Sequence, residues 1–201
     1  MHDVDVRRAM RRRLDESHAD EVDTRIVEEL GIWAHTVRID LAVINGEFHG
    51  IELKSARDTL ERLPNQAMLY NEVFDRVTLV VADKHLSKAL DLVPLWWGIM
   101  TAVSCKELGV RIDLARPADM NPSINPVQIA RLFWKTEAIA VLEKYGLARG
   151  YRSKPAEVIA QRLASDLPID CLRGEARQAL KLRPRLGQPV GGLLRCPRYT
   201  E

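Results

Sequence analysis

Apolar and polar side chains alternate along residues 38–44 and again along residues 50–54. Successive side chains of a β-strand point to opposite faces of the sheet, so this pattern predicts two strands that are apolar on one face and polar on the other. The two polar faces together carry four charged side chains: Arg38, Asp40, Glu52 and Lys54.

The loop between these segments decides which charged residues meet. Asn45-Gly46 is a strong hairpin signal. A two-residue loop would pair Asp40 with Ile51 and mix polar and apolar side chains on both faces, which is an unfavourable register. A three-residue turn over residues 45–47 instead places Asp40 opposite Glu52 and keeps all the apolar residues on one side.

This register brings two carboxylates together. Directly opposed β-carbons lie roughly 4.5–5.5 Å apart, and two carboxylates at that separation repel each other unless a cation lies between them or one is protonated. Oxygen ligands suit Mg²⁺ or Mn²⁺, and Lys54, on the same face as Glu52, can orient a water or neutralise charge on a phosphate. The alternative is a solvated strand face with cross-strand charge pairs.

Hydrophobic periodicity places the other elements. Val6, Met10 and Leu14 form one line of a helix, and the continuous apolar run of residues 77–82 predicts a buried central strand. Further strands are predicted over residues 25–30, 96–103 and 110–116, and further helices over residues 86–93, 127–145, 155–165 and 172–182.

A segment rich in proline and asparagine interrupts this pattern after Arg116 and indicates a module boundary. We therefore predict an α/β domain over residues 1–118, a helical module over residues 119–183, and an irregular basic tail over residues 184–201.

Composition limits the classes of protein. Hydrophobic residues make up 46% of the 201 residues, which is enough for a packed core, yet no run is long enough to predict a membrane span. The first residues lack a secretory pattern, so a cytoplasmic protein is expected. The three cysteines are scattered and support neither a disulfide framework nor a zinc site. His49 is predicted to point to the Val43 face of the hairpin and to be structural.

Basic side chains are concentrated near both ends of the chain. Residues 173–201 hold seven basic and two acidic residues, although the whole chain has a net charge of only +2. Such clusters are candidates for contact with a phosphate backbone, and a solvated helix face with a cationic tail is an equally good interpretation. The residues predicted to contact nucleic acid are Arg7, Arg8, Arg11, Arg12, Arg38, Arg173 and Arg177.

An aspartate, a hairpin and then Glu52-Leu53-Lys54 resemble the PD-(D/E)XK nuclease superfamily and, within it, a small bacterial family. The surrounding sequence carries the same resemblance: residues 50–55, residues 58–64, Gln66, Tyr70 and Trp97-Gly98. The resemblance implies a restriction-endonuclease-like α/β core in which a helix, an antiparallel three-stranded meander, a second helix and further strands build a mixed sheet. The C-terminal helical module follows that core.

The resemblance also implies catalytic positions. Asp40, Glu52 and Lys54 match the catalytic set of the superfamily. A glutamate from an early element often completes the metal site there, and Glu28 and Glu29 are both candidates. We favour Glu29, because strand alternation places it away from Ile26 and Leu30.

Gln66 and Tyr70 lie four residues apart, on one face of a helix that Pro64 can begin. They match the Gln-x-x-x-Tyr of RecB-type nucleases, where it supports the catalytic lysine and contacts nucleic acid. An ordinary surface pair on a helix is the alternative.

The expected function is therefore a nuclease that hydrolyses DNA phosphodiester bonds with Mg²⁺ or Mn²⁺ as cofactor. RNA stays open as a substrate, no membrane partner is expected, and a homodimer is compatible with cutting both strands of a duplex. The alternative is a noncatalytic nucleic-acid-binding or protein-interaction module on the same scaffold. Substrate structure, sequence specificity and biological pathway are not encoded in any pattern of the chain.

Overall fold

The computed structural model describes residues 1–33, 37–107 and 109–184. The chain divides into two compact units, residues 1–124 and residues 125–201.

The first unit is built on one mixed sheet of six strands in the order β1-β2-β3-β4-β5-β6. β3 pairs in parallel with β4, and β4 in parallel with β5, whereas the other neighbouring strands are antiparallel. The predicted α/β fold class is thereby confirmed. Its elements are α1 Asp3–Ser17, β1 Arg25–Ile32, β2 Val37–Ile44, β3 Phe48–Lys54, α2 Leu63–Asn71, β4 Arg76–Ala82, α3 Leu86–Leu92, β5 Gly98–Cys105 and β6 Gly109–Arg116.

Helix α1 covers one face of the sheet with the apolar line seen in the sequence. Val6, Met10 and Leu14 are buried and belong to one core cluster with sheet residues such as Leu41 and Ile51. An amphipathic helix of this kind is stabilised mainly by burying its apolar face. Because α1 is fixed on this face, Arg11 reaches Glu28 of β1 and Arg7 reaches Asp40 of β2.

The hairpin between β2 and β3 has the predicted three-residue turn. The backbone N–H of Asn45 donates to the carbonyl of Glu47 at 3.0 Å, and the pairs Leu41–Ile51 and Val43–His49 follow from that turn. This register directs Leu41, Val43, Ile51 and Leu53 to the core cluster that α1 covers, and it places Glu52 and Lys54 on the opposite face of β3.

Large aromatic side chains fill the core around α2. Tyr70, Phe74 and Trp97 are each fully buried, and the Trp97 indole N–H donates to the Asn71 side chain at 2.8 Å. Trp97 therefore contributes to the packing of the core.

The first unit extends beyond the boundary that the prolines suggested. The backbone N–H of Asp119 donates to the Trp96 carbonyl at 2.8 Å, and that of Asn121 donates to the Asp75 carbonyl at 2.8 Å. The compact unit therefore ends at residue 124 rather than at the predicted residue 118, because proline and asparagine break regular structure without preventing hydrogen bonds to the sheet domain.

The second unit is helical, with α4 Pro126–Ala130, α5 Lys135–Lys144, α6 Ala156–Asp166 and α7 Ile169–Leu182. The prediction of one continuous helix over residues 127–145 is wrong. Trp134 has extended backbone at the start of α5, and its N–H donates to the Glu137 carboxylate at 2.7 Å, so a helix cap replaces a helical turn. Of the predicted tail, only Pro184 lies among the described residues.

Across the described ranges, no helix combines the length and the apolar character that crossing a membrane requires.

Candidate active site

Glu52 and Lys54 lie at the end of β3 and form a buried ion pair. The Lys54 Nζ is 2.5 Å from Glu52 Oε1, and the two residues are only 2% and 6% exposed. Residues two apart on a strand share a face, so the alternating pattern of β3 itself places both charges toward α2. Burial of charge is costly unless the groups are paired and hydrogen-bonded, and both conditions are met here.

Gln66 and Tyr70 of α2 supply the remaining hydrogen bonds. The Gln66 side chain accepts from Lys54 Nζ at 3.0 Å through Oε1 and donates to Glu52 Oε1 at 2.7 Å through Nε2. The Tyr70 hydroxyl lies 2.8 Å from Glu52 Oε2 and 2.8 Å from the Arg38 carbonyl. The predicted helix, which has Pro64 in its first turn, thus brings both side chains to the carboxylate of Glu52.

The surroundings change the proton affinity of this cluster. Burial raises the pKa of Glu52, as does the nearby charge of Asp40, while Lys54 and Tyr70 oppose that rise. Burial and the charge of Glu52 raise the pKa of Tyr70 well above its ordinary value. Tyr70 therefore stays protonated and acts as a hydrogen-bond donor.

Asp40 lies on β2 where the ladder to β3 ends. Its Oδ2 accepts the backbone N–H of Leu53 at 2.8 Å, just beyond the last paired residues, Leu41 and Ile51. The side chain of Asp40 replaces a backbone partner at this point, so the two strands can separate without leaving the N–H unsatisfied. Asp40 is held beside β3 in this way, and its charge acts on Glu52.

Glu29 occupies an irregular position in β1. Its φ is +54°, a conformation that non-glycine residues rarely adopt, and the β1–β2 pairs pass directly from Glu28–Leu41 to Leu30–Ile39. The Glu29 carboxylate forms an ion pair with Arg38 through Oε2, yet that buried oxygen accepts no aligned hydrogen bond.

Glu28 and Glu29 therefore have different environments. The Glu28 carboxylate is 3.2 Å from Arg11 on the α1 side, whereas Glu29 and Asp40 contact the same nitrogen of Arg7. Of the two candidates, Glu29 is the one beside Asp40.

Arg7 pairs with the carboxylates of the site, a contact that the sequence did not indicate. Its Nη2 is 2.8 Å from Glu29 Oε1 and 2.8 Å from Asp40 Oδ1, and its Nη1 donates to the Asp40 carbonyl at 3.0 Å. Arg7 was predicted to contact a phosphate backbone, but in this structure it pairs with carboxylates. A contact across 33 residues of sequence leaves no local pattern by which to find it.

The carboxylates do not form a ready-made metal cage. Within the described ranges, no group of three or more histidine, cysteine, aspartate or glutamate residues is arranged to hold a metal ion. The donor chemistry nevertheless suits a hard divalent cation, because three carboxylates come from adjacent strands.

The other arginines of the first unit that were predicted to contact nucleic acid differ in their ion pairs and in their exposure. Arg11 pairs with Asp15 at 3.0 Å, and Arg38 is largely exposed. Arg8 and Arg12 are exposed, and no ion pair to either is found among the described residues. With Arg7 and Arg11 they line a groove of about 690 Å³ along α1.

In the second unit, Arg173 is 3.1 Å from Asp170, and Arg177 lies on α7, the same helix. Most of the predicted basic tail lies outside the described residues.

His49 is structural, as the sequence indicated. It pairs with Val43 in the hairpin, and its ring Nε2 lies 2.9 Å from the Thr78 hydroxyl. Burial lowers the pKa of His49 to about 4, so the imidazole is neutral at physiological pH.

Comparison with known proteins gives a family. Protein cII of Enterobacteria phage P4 is 26% identical over 161 residues, which cover 80% of this chain and 60% of that protein. The chain thus spans only part of the length of that relative. A solved structure, the SPO1766 protein of unknown function from Silicibacter pomeroyi, aligns with a TM-score of 0.39 and 22% identity over 67% of this chain and 88% of that one. Residues 5–185 match the family described as bacteriophage P4 protein cII, and the chain belongs to that family.

Proposed function

We propose that the protein is a metal-dependent nuclease that hydrolyses phosphodiester bonds of DNA. The observation that carries this proposal is the buried Glu52–Lys54 pair, which hydrogen bonds from Gln66 and Tyr70 hold in place. A buried ion pair is weak evidence for a role in stability, because apolar residues of similar volume often serve as well or better. A functional role accounts for the cluster more directly.

Each protein group has a defined task in this proposal. Lys54 places a positive charge beside Glu52, and the N–H donor that is not bonded to Glu52 or Gln66 can orient a water and stabilise charge that develops on a phosphate. Gln66 fixes the direction of the lysine amine, since its amide contacts both Lys54 and Glu52. Tyr70, kept protonated, fixes the second oxygen of Glu52.

Asp40 and Glu52, with Glu29, are the residues that would hold Mg²⁺ or Mn²⁺. A bound divalent cation supplies Lewis-acid polarisation of a phosphoryl oxygen and lowers the pKa of a coordinated water. The negative charge of the three carboxylates, which come from the adjacent strands β1, β2 and β3, supports this assignment.

Arg8 and Arg12 are the proposed contacts to the nucleic-acid backbone in the first unit. They lie one helical turn apart on α1, in the groove that Arg7 also lines. Arg7, which lines the groove, also contacts Asp40 of the proposed site. Phosphate contacts of this kind give affinity without sequence specificity.

Nicking of supercoiled plasmid by the purified protein tests the proposal. Mn²⁺ or Mg²⁺ should support nicking and EDTA should stop it. Lys54→Met, which keeps the aliphatic stem but removes the charge, should reduce the rate by about 10²-fold or more. Lys88→Met is the matched control, because Lys88 is an exposed lysine on helix α3. This variant should nick like the wild type.

A noncatalytic binding module is the second candidate, and one observation favours it. Both oxygens of Asp40 and both oxygens of Glu52 already have protein partners. This candidate predicts salt-sensitive binding of the plasmid in EDTA, no nicking with either metal, and equal binding by the wild type and Lys54→Met. Metal-dependent nicking that survives in Lys54→Met would contradict the assignment of the site.

A further inference from the structure

Arg7 occupies the centre of a carboxylate cluster at the edge of the proposed site. One nitrogen, Nη2, lies 2.8 Å from Glu29, 2.8 Å from Asp40 and 3.4 Å from Asp3. The oxygens of Glu29 and Asp40 are therefore no further apart than twice 2.8 Å. Carboxylates at this separation repel strongly unless a cation neutralises them.

The guanidinium is a permanent cation in this position. Partial burial would lower the pKa of Arg7, but hydrogen bonding to Asp40 and the charges of Asp40, Asp3 and Glu29 outweigh burial and raise it. A neutral form of Arg7 is therefore not accessible near neutral pH. Loss of its charge from the cluster requires the side chain to move.

We propose that Arg7 is the resident counter-ion of the Glu29–Asp40 site and sets the affinity of the site for a divalent metal, because it must withdraw before the metal binds. This inference rests on the proposed metal-dependent function. The oxygens that contact Arg7 are Glu29 Oε1 and Asp40 Oδ1, which belong to the carboxylates assigned to the metal. A divalent ion and a guanidinium at one position would repel each other, so one replaces the other.

The surroundings of α1 provide room for this movement. Arg7 also lines the groove of about 690 Å³ along the helix, so its side chain can turn from the carboxylates into open space. In that orientation it joins Arg8 and Arg12, where an incoming phosphate backbone would stabilise it. Metal binding and backbone binding therefore favour the same position of Arg7.

Calorimetric titration with Mn²⁺ alone, in the absence of nucleic acid, tests the inference. Removing a positive charge a few ångströms from the metal should tighten Mn²⁺ binding by about tenfold or more in Arg7→Gln. Arg7→Lys, which keeps the charge, should bind Mn²⁺ close to the wild-type affinity. Arg11→Gln is the matched control, because Arg11 lies one turn further along α1 and pairs with Asp15 and Glu28. Its affinity should equal that of the wild type.

A second measurement follows the wild-type protein and needs a variant only to assign one resonance. The Nε–H resonance of Arg7, assigned by its absence in Arg7→Lys, should shift when Mg²⁺ is added. An unshifted resonance at saturating Mg²⁺ would overturn the inference.

The outcomes separate this inference from the function on which it rests. Mn²⁺ binding by the wild type with equal or weaker binding by Arg7→Gln would overturn the role of Arg7 and leave the metal site standing. Absence of Mn²⁺ binding in the wild type and in Arg7→Gln would overturn both.

Discussion

His49 is a neutral imidazole in a charged neighbourhood. Its ring bonds to the Thr78 hydroxyl, and Glu47, Arg76 and His18 exert the nearby charges. Burial outweighs the attraction of Glu47 and lowers the pKa of His49 from 6.5 to about 4. Between pH 6.5 and about pH 4, the unfolded chain therefore binds a proton at His49 and the folded protein does not.

This shift predicts acid sensitivity in a defined range. Below pH 6.5 the unfolded state gains a proton at His49 that the native state lacks until about pH 4, so stability falls as the pH falls through that range. His49→Gln keeps a polar partner for Thr78 and cannot titrate there. Between pH 6.5 and pH 4 the wild type should lose at most ~3 kcal/mol more than the variant in urea unfolding.

The wild type and His49→Gln share all the other titrating groups. The difference between their pH profiles of stability therefore reports His49 alone. Parallel pH profiles for the two proteins would contradict the burial of the imidazole. A profile in which the wild type gains stability on acidification would assign His49 a buried anionic partner instead.

At the scale of elements, the register of the hairpin could be read from the chain, because one residue more or less in the turn moves every side chain of a strand to the other face. Pro64 likewise indicated where α2 begins, and the four-residue spacing of Gln66 and Tyr70 indicated that they share one face of that helix. The irregular backbone at Glu29 could not be read in this way. It departs from strand alternation where the carboxylate meets Arg7, a contact that depends on how α1 is placed on the sheet.

Gly98 marks a close approach between elements. A β-carbon built there would lie 2.8 Å from the Thr78 hydroxyl, 2.9 Å from the Ala118 β-carbon and 3.0 Å from the Ala118 backbone nitrogen. β5 therefore cannot accept a side chain at this position unless the backbone at Ala118 moves. Gly98→Ala should destabilise the protein by about 1–3 kcal/mol in chemical unfolding.

Gly46 is the matched control, since a β-carbon there meets nothing within 4 Å. Gly46→Ala should leave the midpoint almost unchanged. Equal effects of the two substitutions would mean that Gly98 acts through the unfolded state rather than through crowding.

Two exposed arginines of helix α1, Arg8 and Arg12, are predicted to contact the nucleic-acid backbone. The double substitution Arg8→Gln with Arg12→Gln removes two exposed charges of the groove without touching the carboxylates. In EDTA, the dependence of log K on log salt concentration for duplex DNA should become shallower by about 1.8, or about 0.9 for each lost phosphate contact. Fluorescence anisotropy at several salt concentrations measures this slope.

Arg13 provides the control for α1. It is on the same helix but donates to the Ile112 carbonyl and does not line the groove. Arg13→Gln should keep the wild-type salt slope. A slope that is unchanged in the double variant would place the nucleic-acid interface elsewhere.

For the whole molecule, the sequence predicted that the α/β domain ends at residue 118, whereas the first compact unit ends at residue 124. Proline and asparagine after Arg116 interrupt helical and strand periodicity, and periodicity was the signal on which the boundary depended. Asn121, however, makes three bonds to the end of α2 and the start of β4: its N–H to the Asp75 carbonyl, and its side-chain amide to the Asn71 and Phe74 carbonyls. These bonds join Asn121 to the first unit, and hydrophobic periodicity does not predict them.

Truncation tests whether this segment stabilises the site. A fragment of residues 1–124 contains every residue of the proposed site together with the bonds of Asn121, whereas a fragment of residues 1–118 lacks Asp119 and Asn121. Because the lost bonds hold the carbonyls that follow α2, the shorter fragment should be less stable by about 1–3 kcal/mol. The effect should reach Gln66 and Tyr70, which α2 positions against Glu52.

Thermal unfolding and Mn²⁺ titration of the two fragments measure both consequences. The longer fragment should unfold cooperatively and bind Mn²⁺ like the full chain, and the shorter one should bind it more weakly. Asn121→Ala in the full chain is the control that removes the side-chain bonds without shortening the protein, and it should reproduce part of the loss. Equal stability of the two fragments would mean that residues 119–124 are a passive connection. Failure of the longer fragment to fold would show that the first unit depends on the second.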